Sequence, residues 1–169
     1  TLTKLSNALS VNQIVGNVVV APSGLCANFN VPAAHTTTGV ANADFVLYVA
    51  AGPTGTTTAA WAGHCTLDQS NRPVIGVANF GPRFITWSTT NPADNDVPIY
   101  VAVHEIMHAL GFSGSYMRNY FPSNPQVAST RRGKAVTLYT ASTALTHAKT
   151  YFNCASLDGI ELEDEGTAG

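Results

Sequence analysis

The sequence is short of charge. Asp, Glu, Lys and Arg make up 11% of its 169 residues, against about 25% in ordinary soluble domains. Eight basic and ten acidic residues leave a net charge of −2. That balance gives nucleic acid or an anionic membrane surface nothing to hold. No run of 18 or more apolar residues occurs, which excludes a membrane-spanning helix in this stretch. No leader-like segment is visible and the sequence opens on Thr1 without Met, as expected after processing or for a start within a longer protein. The three cysteines, Cys26, Cys65 and Cys154, form no CxxC and no close pair, which argues against a structural zinc knuckle. Scattered cysteines in a chain of low charge fit an oxidising, extracytoplasmic setting with at least one disulfide. What the chain does have is apolar residue: 45% hydrophobic, enough for a sizeable core in one domain or a large part of one.

Apolar periodicity outlines the elements. Leu2, Leu5, Leu9 and Val11 among polar residues predict an amphipathic helix over 2–15, ended by Gly16. Val18-Val19-Val20 reads as a strand, and residues 27–42 as a loop. Phe45 to Ala50 is a continuous apolar run of strand length, read as a buried strand. The short mixed segment Ala59–Cys65 fits an edge strand, and Val74–Phe80 a further apolar strand. Asp94-Asn95-Asp96 before Pro98 combines cap-type side chains, first-turn acids and a first-turn proline, so a helix is expected from there to Leu110, with Gly111 as its stop. Residues 113–137, with the basic cluster Arg131, Arg132 and Lys134, read as a long loop or insertion; 141–153 is helix-like; Glu161 to Glu165 is acidic.

The helix ending at Leu110 is apolar nearly all round, as in a buried helix, apart from His104, Glu105 and His108. These form the pattern HExxH. Residues i and i+4 share one helix face, so two imidazoles there can reach one metal ion. Glu105, beside that face, can take a proton from a water that the metal activates and pass it to a leaving amine. Imidazole ligands favour a single Zn2+. Catalytic zinc takes three protein ligands, and the third is open. In the pattern HExxHxxGxxH, Gly111 stands in place but position 114 is Gly114 instead of His. His35, His64 and His147 carry no local motif and read as ordinary histidines, while Glu161 and Glu163 are acidic candidates.

The segment from His104 to Gly114 resembles the active-site segment of the leishmanolysin family of metzincin zinc metallopeptidases. The likeness extends to Cys26–His35, Ala43–Ala50, Ala60-Trp61-Ala62, Cys65, Arg72–Asn79, Arg132-Gly133-Lys134 and Cys154–Gly166, in order and over nearly the whole chain. The resemblance implies an α+β, zincin-like catalytic domain. Its twisted, mostly parallel mixed sheet would pack on an N-terminal helix and a buried HExxH helix. Residues 1–112 would form the N-terminal catalytic subdomain, and 113–169 an insertion and the start of the central region of a chain that continues. A long insertion accounts for Gly114, which puts the third His beyond Gly169. The same resemblance implies a Cys26–Cys65 disulfide, a partner for Cys154 in the C-terminal remainder, an extended peptide substrate paired along the Ala59–Cys65 strand, and an extracellular or cell-surface location.

Three functions are compatible with these residues. The first is an active metzincin endopeptidase. The second is a zinc peptidase of another branch, with Glu161 or Glu163 as third ligand. The third is an inactive adhesion or structural surface protein that keeps the fold. Intact His104, Glu105 and His108, together with Gly111, favour the first.

Overall fold

A computed structural model describes Leu5, Asn7 and residues 9–121 and 123–162. The chain divides into two compact units, Thr1–Phe112 and Ser113–Gly169.

The first unit is built on a three-stranded sheet of β1 (Val46–Ala50), β2 (Ala60–Leu67) and β3 (Pro73–Phe80) in the order β1-β3-β2. β1 runs parallel to β3, from Val46 opposite Ile75 to Ala50 opposite Asn79. β2 runs antiparallel to it, from Ala60 opposite Phe80 to His64 opposite Gly76, and its register shifts around Cys65. Among the described strands the sheet is therefore mixed, one parallel pair and one antiparallel, and the expectation of a mostly parallel sheet gives way to an even division. β3 is the central strand, and its residues Pro73–Asn79 are all buried. The apolar run at β1, expected to be fully buried, is half-buried, and Val49 is 61% exposed. A strand paired on one side only leaves an open margin there. β2 lies at the other edge, as expected of the Ala59–Cys65 segment.

Side chains alternate across a strand, and residues directly opposite share a face. One face of the sheet therefore carries Trp61 and Gly63 of β2 with Ile75 and Val77 of β3. Ile75 and Val77 join Val18, Val20 and Cys26 in the core, with Phe29, Tyr48, Trp61 and Cys65 packed around it. A 3₁₀ turn, Gly24–Asn28, brings Cys26 to Cys65, and the two form a disulfide. That bond closes a 39-residue separation, for which the chain-entropy model gives about 4 kcal/mol. Gly63 lies under Leu25, where any Cβ would meet the Leu25 side chain at 2.7 Å.

The opposite face carries Ala60, Ala62 and His64 with Gly76 and Ala78, and receives helix α2 (Asp96–Ala109). Helix α1 is the short Ala33–Thr37. Small residues let α2 sit close. A Cβ on Gly76 would stand 3.0 Å from the Ala109 Cβ, 2.8 Å from the Phe45 ring and 3.1 Å from the Gly63 carbonyl oxygen.

Several local expectations change. Of the helix expected over 2–15, only Leu5 and Asn7 among the described residues are helical; 2–4, 6 and 8 lie outside them, and 9–15 is not helical. The Ile14 N–H donates to Asp44 Oδ1 at 2.7 Å and Arg72 donates to the Asn12 carbonyl at 2.6 Å. These tertiary bonds satisfy backbone groups that a helix would use internally. Val18-Val19-Val20 is extended, with Val18 and Val20 buried, but it pairs only through one bridge to Val40.

The second unit holds α3 (Gly114–Tyr120), the hairpin β4 (Gln126–Arg131) and β5 (Lys134–Tyr139), α4 (Ser142–Tyr151) and β6 (Ile160–Glu161). The loop expected over 113–137 is thus a helix and a hairpin. β4 is largely polar, so its sequence lacks the apolar alternation that marks a strand. Its turn rests on Arg132 and Gly133, both at positive φ, the backbone that a two-residue hairpin requires. The basic cluster sits at this turn, where Arg131 pairs with Asp158 and Arg132 with Glu161, each at 2.6 Å. No helix among the described residues is long and apolar enough to cross a membrane.

Two stability predictions follow from the two faces. Replacing Cys26 and Cys65 together by serine is expected to lower unfolding free energy by up to about 4 kcal/mol, read by denaturant titration against the native disulfide. Gly76→Val is expected to cost about 1–3 kcal/mol through overpacking against Ala109; an unchanged midpoint would mean that α2 is not held against β3.

Candidate active site

Helix α2 begins from a locked loop. Pro92–Asn95 forms a 3₁₀ turn capped by Asn91, whose side chain accepts from the Ala93 N–H. Asn95, the residue before α2, makes no capping bond of its own. Its buried side chain instead accepts from the Ser88 N–H at 2.8 Å and donates to the Ser88 carbonyl at 2.9 Å. The expected cap is therefore used to fix the incoming loop, while Asp96 and Pro98 occupy the first turn as expected. The expectation of a wholly buried helix also changes: Val97 is 70% and Tyr100 71% exposed. The buried face holds Glu105, at 7% exposure, and Ala109 one turn on.

The far end of α2 closes in a left-handed turn. Gly111 adopts φ +98°, its N–H donates to the His108 carbonyl, and the Phe112 N–H donates to the Met107 carbonyl. This is the paired-bond cap that glycine favours, because a side chain there meets the backbone. The turn carries the Phe112 carbonyl back to His108, whose Nδ1 lies 2.8 Å away. An Nδ1–H donated to that oxygen puts the lone pair on the His108 Nε2, the tautomer a metal ligand needs.

His104 and His108 meet as their spacing predicts. Their Nε2 atoms lie 3.0 Å apart and their rings are perpendicular, with centroids 4.6 Å apart. Two ring nitrogens converging on one point, one of them fixed by a backbone carbonyl, fit a shared zinc ion with ligand distances of about 2.0–2.1 Å. Among the described residues no three His, Cys, Asp or Glu side chains gather around one metal position. His35 Nδ1 lies 2.8 Å from the Tyr48 hydroxyl. His147 is exposed on α4. Glu161 accepts from Arg132, which holds its carboxyl below the usual range, and Glu163 lies outside the described residues. His64 is half-buried on β2, and burial pushes its pKa down.

The leishmanolysin family model matches residues 1–169. The chain belongs to the leishmanolysin family. It is 36% identical over 170 residues to a leishmanolysin of Leishmania amazonensis, covering 95% of this chain and 26% of that protein. A leishmanolysin homolog of Crithidia fasciculata is 34% identical, covering 95% and 24%. A leishmanolysin-like peptidase of Drosophila melanogaster is 30% identical, covering 78% and 25%. The chain spans about a quarter of the length of these curated relatives. Its α+β architecture suits a leishmanolysin domain, and the disulfide expected from the resemblance, Cys26–Cys65, is formed.

Sequence reasoning passed over the Phe112 carbonyl, a backbone atom with no signature, although Gly111 marks the turn that aims it. It also treated His64 as ordinary, since only the strand register places that residue on the helix side of the sheet. Gly111→Ala is expected to destabilise the protein by about 1–2 kcal/mol, since an L-residue at this φ is strained. Thermal melting checks this, and no change would mean that the helix end does not depend on the turn.

Proposed function

We propose that this chain is the catalytic part of a secreted or cell-surface zinc metalloendopeptidase of the metzincin type. The observation that carries the reading is the convergence of His104 and His108 Nε2, with His108 Nδ1 held by the Phe112 carbonyl. Family membership supports it. The unit ending at Phe112 is the catalytic subdomain, and 113–169 begins the central region.

His104 and His108 would hold a zinc ion through Nε2. The third ligand is a histidine of the longer protein beyond Gly169, consistent with Glu161 being committed to Arg132. Zinc, when bound, supplies a Lewis acid that polarises the scissile carbonyl and acidifies a water. Glu105 would act as the general base, taking a proton from the attacking water and giving it to the leaving amine. Its burial, at 7% exposure, limits its contact with bulk water. The outer edge of β2, which has no strand partner among the described residues, supplies backbone donors and acceptors for an extended peptide, which sets the chain direction across the site. Gly111 turns the backbone away beneath the two imidazoles.

The alternative, an inactive adhesion or structural protein of the same fold, finds no support in the site, since His104, Glu105 and His108 are all present in the required spacing.

The deciding experiment measures zinc content and casein cleavage for the full-length protein and its Glu105→Ala variant. Both are expected to hold about one zinc per chain, and cleavage is expected to fall by roughly 10²-fold or more in the variant. Zinc binding without cleavage in the native protein would favour the adhesion reading; no zinc at all would refute the ligand assignment.

A further inference from the structure

The disulfide side of β2 is apolar out to the margin of the sheet. From Ala60 to His64 the strand alternates between the two faces, so Trp61 and Gly63 both face the disulfide side. Trp61 packs edge-on to Phe29, with ring centroids 5.9 Å apart. Gly63 has no side chain, and Leu25 of the 3₁₀ turn takes that space: a Cβ built on Gly63 would lie 2.7 Å from Leu25 Cδ1. Leu25 therefore stands over the edge strand where a side chain of the strand itself would otherwise stand. It is 40% exposed, although the next residue, Cys26, is fully buried in its bond to Cys65. The disulfide thus ties the turn to β2, and Leu25 is held over the strand while part of its apolar surface stays open to solvent. Neither the metal site nor the proton transfers assigned to Glu105 use this leucine.

β2 is an edge strand whose outer side has no strand partner among the described residues. A peptide added to that edge would lie about 4.8 Å from β2, with its alternate side chains on the same two faces as those of β2. On the disulfide side, the residue opposite Gly63 would have its Cβ about 5 Å from the Cβ position of Gly63, the point beside which Leu25 Cδ1 lies. A side chain longer than that of alanine at this substrate position meets Leu25. The substrate residue two places away falls opposite Trp61. Resting on the peptidase reading above, we infer that Leu25 is a specificity-determining residue. It walls an apolar subsite on the disulfide side of β2, next to one made by Trp61, and selects substrates with an apolar side chain opposite Gly63. A Leu, Ile, Met or Phe side chain there covers the open surface of Leu25 and sheds its own water. A charged side chain gives up hydration against Leu25 and Trp61, neither of which offers it an opposite charge.

The test uses the full-length protein as wild type, Leu25→Ala and Leu25→Met, with zinc content and melting measured alongside. Each is assayed on fluorogenic peptides in which every position flanking the cut is varied singly among Leu, Phe, Ser and Asp. Wild type is expected to prefer apolar residues at two positions separated by one residue, those facing Gly63 and Trp61. Leu25→Ala should lower kcat/KM about tenfold for peptides apolar at one of the two, flatten the preference there, and leave the other position as it was. Leu25→Met should keep the preference. Because the readout is a ratio between peptides, a smaller fraction of folded enzyme cancels from it. A wild type without such a pair of preferences, an unchanged profile in Leu25→Ala, or an equal loss at every position would overturn the inference. Each of these requires that the wild type cut peptides, so the peptidase reading survives them. A wild type that binds zinc and cuts no peptide would overturn that reading itself, and the subsite with it.

Discussion

The close seating of α2 on the sheet is the constraint on which the candidate site depends. Gly76 has no Cβ, and a Cβ there would stand 3.0 Å from that of Ala109. Because Ala62 and Ala78 face the same way, the helix settles over β2 and β3 with little between them. The approach fixes the rotation of α2 about its axis. Once Ala109 meets Gly76, Glu105 is turned inward one helical turn earlier, and His104 is left on the exposed side. Close packing makes such an arrangement sensitive to a single methyl group.

The other face of the sheet performs a separate task. There the aliphatic core of Val18, Val20, Ile75 and Val77 is closed by Cys26 and its disulfide to Cys65. The bond falls where the register of β2 shifts, so the covalent tie holds the edge strand at its irregular point. The buried Asn79 side chain adds a further anchor by bonding both the N–H and the carbonyl of Gly52 at the end of β1. In a chain with little charge, amide side chains bonded to backbone groups hold loops at Asn79 and Asn95, beside the few ion pairs at the hairpin turn.

At the helix end, local and tertiary effects combine. Gly111 ends α2 by adopting a backbone conformation that other residues avoid, and the reversal returns the Phe112 carbonyl to His108. A stop signal in the sequence thereby becomes an orienting group for an imidazole. The exposed Val97 and Tyr100 on the same helix show that an apolar composition does not by itself bury every face of a helix.

The HExxH spacing, its helix and the stop at Gly111 were legible in the sequence because each rests on contacts within a few residues, where helical geometry alone sets the outcome. The strands at 46–50 and 73–80 were legible for a similar reason, since length and apolar content define them locally, and the mixed segment 59–65 fitted only an edge strand, found at 60–67. The pairing of Cys26 with Cys65 required the family resemblance, because spacing alone leaves the partners open. The 9–15 segment was misread as helix because Asp44 and Arg72, distant in sequence, bind its backbone. The polar hairpin at 126–139 was missed because its strands lack alternation. The sequence by itself determined the chemistry of the site, two imidazoles and a carboxylate at helical spacing. Tertiary structure alone decided which sheet face receives the helix, that Asn95 binds Ser88 instead of capping, and that His64 shares that face, because register and packing join residues that no local period connects.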